Sequence, residues 1–140
     1  MKLERRNLIQ EDDADMVKWT IKGDFKKTSD FLKSMKERRQ FKVLEHYAQK
    51  GVQALEEATP KRSGLTASSW SYEIEQSPRN ITISWTNSNF NQGVPIALVI
   101  QYGHGMPNGG YVKGIDYINP AMQPIFNELA DKVWKEVTSL

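Results

Sequence analysis

The apolar residues of this chain change their spacing twice, and that excludes both a pure helix bundle and a pure β-sandwich. Phe41, Leu44, Ala48, Val52 and Leu55 recur at intervals of three and four, which places them on one face of a helix over 41–58. Pro60 bounds that helix, because a proline disfavours α geometry at the residue before it. From Trp70 the interval becomes two: Trp70, Tyr72 and Ile74 alternate with Ser71, Glu73 and Glu75, and Ile81, Ile83 and Trp85 alternate with Thr82, Ser84 and Thr86. With Gln76 to Arg79 as the turn, this predicts an antiparallel hairpin with one buried face. Met122, Phe126, Leu129, Val133 and Val137 then return to helical spacing, giving a last helix over 120–138 with Asn119 as N-cap and Pro120 as its first residue.

The remaining segments fill in around these three. Met16 to Ile21 alternates like a short strand, and Phe25, Phe31, Leu32 and Met35 mark a polar amphipathic helix from Asp24 to Arg39. Residues 1–15 carry no apolar stripe, so they read as a mobile acidic arm ahead of one domain over 16–140, with Met16 a candidate internal start. Residues 59–68 and 87–93 are rich in turn formers and are expected to be exposed loops. Val94 to Tyr102 is apolar and favours a short helix after Pro95. Residues 103–114 hold five of the nine glycines, a shaped loop with room for a hairpin. The expected fold is α+β: two N-terminal helices and one C-terminal helix packed on a small antiparallel sheet with long loops.

Composition removes several chemistries. The 140 residues contain no cysteine and two histidines, which excludes disulfides, thiolate nucleophiles and a conventional zinc centre. No apolar run approaches the roughly 18 residues of a membrane span. Lys and Arg against Asp and Glu number 3 and 5 over residues 1–15, 12 and 6 over 16–62, and 4 and 6 over 63–140, so the basic charge is concentrated in the helical half. Its densest cluster, Lys36, Arg38, Arg39 and Lys42, has no interleaved aromatics, which favours a solvated face over a nucleic-acid site.

His104 lies between glycines, and its conceivable catalytic partners are Asp116 and Ser68; a loop histidine bonded to its own turn is the favoured interpretation. His46 and the Glu56-Glu57 pair read as structural or surface groups. The glycine-rich stretch has neither GxGxxG nor GxxxxGK[ST] and is not expected to hold a nucleotide. Trp19, Trp70, Trp85 and Trp134 all fall at apolar phases, which predicts core packing. No enzyme activity and no cofactor are expected.

Two stretches resemble one family. The first is Thr59-Pro60 with Ser63-Gly64-Leu65 and Ser68. The second runs from Ala97 through Tyr102-Gly103-His104-Gly105, Gly109-Gly110-Tyr111-Val112 and Asp116-Tyr117-Ile118-Asn119-Pro120-Ala121. They are similar to tail components of long-tailed bacteriophages and prophages, gene-product-ten-like in the lambdoid naming, over most of 16–140. Met106 stands where many members carry threonine.

The resemblance implies a virion protein at the head-proximal end of the tail, made in the host cytoplasm. It would complete the tail or join it to the head, as copies in a ring. Its partners would be connector or stopper proteins and tail terminator or tube proteins, with nucleic acid only passing through the ring and no membrane involved. The contacts would fall on Arg38, Arg39, Lys42, Lys61, Arg62, Gly64, Ser68, His104, Met106 and Tyr111. A tail terminator and a DNA-binding module using helices 24–58 are the alternatives.

Overall fold

The computed structural model describes residues 2–6, 16–22, 38–61, 64–77 and 80–138. Four antiparallel strands form its main sheet: β1 (Lys2–Arg6), β2 (Val17–Lys22), β3 (Trp70–Gln76) and β4 (Asn80–Asn87), in the order β1-β2-β4-β3. The predicted hairpin is β3–β4, with Tyr72 opposite Trp85 and Ile74 opposite Ile83. β2 pairs with the other side of β4, setting Trp19 opposite Ile83 and Ile21 opposite Ile81, so the alternating apolar residues of both strands share one face.

Two long helices cover that face, α1 (Arg38–Ala58) and α4 (Ile118–Thr138). The architecture is α+β, as the change of period requires. The expected helix from Asp24 lies, up to residue 37, outside the described residues; Arg38 and Arg39 belong to α1. The other described elements are short: α2 (Leu65–Ser68) precedes the hairpin, and β5 (Phe90–Asn91), β6 (Val94–Pro95), α3 (Ile96–Tyr102), β7 (Gly103–Gly105) and β8 (Tyr111–Lys113) come between the hairpin and α4. The short helix after Pro95 and the hairpin in the glycine loop are both present.

The core joins Val17, Trp19 and Ile21 of β2 and Ile81, Ile83 and Trp85 of β4 to Leu44, Ala48 and Leu55 of α1 and Met122, Phe126, Leu129 and Val133 of α4. Trp85 is its centre. Its indole Nε1 donates to Ala48 O at 2.9 Å and its ring lies 6.0 Å from that of Phe126. This close approach to α1 depends on Gly51, where a Cβ would stand 2.6 Å from Trp85 Nε1.

Four expectations are corrected. Lys2–Arg6 is not a free arm: the segment pairs with β2 from Lys2 opposite Lys22 to Arg6 opposite Lys18. An edge strand joins through its backbone and needs no apolar stripe, and a charged sequence is what keeps such an edge from pairing further. Residues 7–15 lie outside the described residues. The 59–68 segment is not simply an exposed loop, since Thr59, Thr66 and Ala67 are buried and Leu65–Ser68 is helical.

Trp134 is not core; it is 53% exposed. Met122, Phe126, Leu129 and Val133 occupy one arc of α4, and Trp134 follows Val133 by one residue, about 100° further round. Finally, Asn119 does not cap the last helix, which begins one residue earlier at Ile118. The cap comes from α3: Gln101 Oε1 accepts from the backbone N–H groups of Tyr117 and Ile118, both at 3.0 Å.

Candidate functional site

The segment around α2, ahead of the hairpin, and the short elements between the hairpin and α4 enclose an open groove of about 650 Å³. Polar side chains hold the walls, several of them by bonds to backbone. Asn87, at the end of β4, donates from Nδ2 to Thr66 O at 2.7 Å, and Asn89 Nδ2 donates to Thr66 Oγ1 at 2.8 Å, which fixes α2 against the sheet. Behind α2, Thr59 Oγ1 donates to Leu55 O and accepts from Trp70 Nε1 at 2.9 Å. The β5–β6 wall turns at Gln92 and Gly93, whose φ of 52° and 78° match the type I′ turn that two-residue hairpins prefer.

The opposite wall is α3 with the β7–β8 hairpin. Gly103 has φ 80°, and a Cβ there would lie 2.2 Å from Val112 O, so only glycine lets β8 close against the end of α3. Ile115 N donates to Ile100 O at 2.9 Å, and Tyr111 Oη donates to Tyr102 O at 2.6 Å. Gln101 binds Asp116 as well, donating from Nε2 to Oδ1 at 2.7 Å. Below them Tyr117 Oη donates to Ala97 O at 2.7 Å, and burial pushes its phenol well above the ordinary value near 10. The phenol of Tyr102 is also raised, by partial burial first and by the Asp116 carboxylate second.

The groove these pins hold open is apolar. Leu65 (57% exposed), Phe90 (47%), Val112 (44%) and Ile115 (55%) line it beside Ile96, Val99 and Ile100. Large apolar side chains clustered at one exposed place mark an interaction surface, where isolated ones would not. Among the described residues its ionisable lining groups are His104 and Lys113.

Of the residues singled out in the sequence, Gly64 and His104 line the groove. Met106 and Tyr111 are exposed on the β7–β8 hairpin, and Lys61 is exposed next to the lining residue Pro60. Ser68 is exposed at the end of α2 and donates to Leu65 O at 3.1 Å. Arg62 and the side chains of Arg38 and Arg39 lie outside the described residues. Lys42 is not brought to the groove: it sits sixteen residues before the end of α1, about 24 Å along its axis.

The exposed positions of α1 include Lys42, His46, Gln49, Gln53, Glu56 and Glu57, a mixed surface with no basic stripe among the described side chains. The conceivable partners of His104 are engaged elsewhere, Asp116 with Gln101 and Asn119 and Ser68 with Leu65. Among the described residues no three His, Asp or Glu side chains gather to hold a metal ion, and no helix is long and apolar enough to cross a membrane.

The groove walls Leu65, Phe90, Val112 and Ile115 were not among the sequence candidates. Leu65, Phe90 and Ile115 have no large apolar neighbour in sequence and Val112 only Tyr111, all inside stretches of turn formers where no period draws attention to them. That isolation was the available signal. Compared with protein-family models, curated proteins and solved structures, the chain matches none.

Proposed function

We propose that this protein is a structural subunit of a phage or prophage particle, acting as copies in a ring at the head-proximal end of the tail to complete it or join it to the head. The observation that carries this is the groove. The two stretches of sequence that resemble the tail-component family meet there: Pro60, Gly64 and Leu65 come from the first, His104 and Val112 from the second. Segments far apart in the chain thus build one exposed apolar surface, which a subunit of an assembly covers when it docks. His104 serves this surface as a polar contact on the wall.

Electron microscopy of particles made without the protein tests the proposal and separates its variants. Filled heads without tails indicate tail completion or joining, overlong tails indicate a terminator, and normal infectious particles overturn the assignment.

A further inference from the structure

The molecule carries a second exposed apolar feature, and it is convex where the groove is concave. Trp134 projects from α4 with 53% of its surface exposed, and Asp131, three residues earlier and also exposed, lies on the same outer side of the helix. Neighbouring charges on α4 are matched within the chain: Glu128 pairs with Lys50 at 3.0 Å and Lys132 with Glu136 at 3.5 Å. Asp131 makes no such pair among the described residues. The groove carries the complementary charge, since among the described residues Lys113 lines it without an ion pair and no carboxylate lines it.

The two features are far apart. The groove adjoins the start of α4 through Ile115, and Trp134 lies sixteen residues beyond Ile118, about 24 Å along the helix. No copy can therefore fill its own groove with its own Trp134. We infer that the groove receives Trp134 of a second copy of this chain, with Asp131 of that copy against Lys113. The contact joins two different patches, so it runs head to tail, the kind that closes into a ring when the rotation between neighbours divides the circle. A tryptophan anchored in an apolar pocket, with an opposite-charge pair at its side, is the usual make-up of an interface centre. The inference rests on the ring-subunit proposal and specifies which surfaces meet.

The cysteine-free chain makes the test clean. Asp131→Cys and Lys113→Cys are placed in one chain, and the protein is treated with a short bis-maleimide both concentrated in solution and within assembled particles. An ion pair can hold two backbones beyond direct disulfide reach, a gap the reagent spans; head-to-tail contact brings the two positions this close only between copies, so a ladder of covalent oligomers is expected. An equal mixture of the two single variants should stop at the dimer. Adding Trp134→Ala, or independently Ile115→Arg, should abolish the ladder while the melting curve shows the chain still folded.

A closed dimer alone from the double variant, a ladder that survives both substitutions, or no cross-link in either setting would overturn the contact. Particles that contain the protein but do not cross-link sink this inference alone. A ladder in solution from a protein that particles lack sinks the ring-subunit proposal and leaves the contact standing.

Discussion

The sheet-and-helix body and the groove end of this molecule are built on opposite terms. In the body, apolar side chains find apolar neighbours, and the centre is nearly dry: Trp19, Ile83, Trp85 and Leu129 are at most 1% exposed. At the groove end, apolar side chains face outward and order comes from polar ones. The side chains of Gln101, Asn87, Thr59 and Tyr117 are buried and each hydrogen-bonds to backbone. No buried side-chain polar atom among the described residues lacks a partner. The difference teaches that the groove end is held in shape by hydrogen bonds so that its apolar surface stays available.

Substitutions can break this contrast. The largest effect is expected at Gln101→Ala, which strips two buried backbone N–H groups at the start of α4 of their acceptor; at about 1–3 kcal/mol each, the loss is on the order of 3 kcal/mol in urea unfolding. A loss below 1 kcal/mol would mean that water caps α4 equally well. Next comes Gly51→Ala. Helix propensity alone favours it by about 1 kcal/mol, but the new methyl meets the Trp85 ring, so a net destabilisation of about 1–2 kcal/mol is expected. A stabilised variant would show that the core at Trp85 is loosely packed.

Tyr117 adds a pH test. Its folded-state pKa is raised above the unfolded value near 10 by burial, so its contribution is complete below pH 10 and is lost as pH rises beyond it. Denaturant midpoints should fall above pH 10 more steeply in the parent than in Tyr117→Phe; parallel curves would count against burial of the phenol. The smallest effect is expected at Leu65→Ser on the groove wall, within about 0.5 kcal/mol of the parent by thermal unfolding because the side chain is already exposed. A core-sized loss there would erase the distinction between the two ends.

The body was legible because periodicity records burial. Leu44, Ala48 and Leu55, the 81–85 alternation and the stripe from Met122 to Val133 all point inward as their spacing predicts. Trp134 misled because it borders the apolar stripe and counts as part of it, although one residue beyond Val133 turns it about 100° toward solvent. β1 was missed because backbone pairing leaves no mark in a charged sequence. The groove was only partly legible. Glycines and hydroxyl residues located its loops, but its polar pins join residues such as Asn87 and Thr66, or Gln101 and Ile118, through bonds between one side chain and distant backbone, which no local pattern encodes.

The register of β2 against β4 has a consequence for synthesis. Ile21 sits opposite Ile81, so the ribosome must add sixty residues after Ile21 before its partner exists. At about 5–20 residues per second that is a delay of roughly 3–12 s. Throughout it Val17, Trp19 and Ile21, all buried in the finished fold, have no β4 to lie against. The chain therefore carries the apolar face of β2 early and its match late, and the emerging polypeptide is open to mispairing or chaperone capture in that interval.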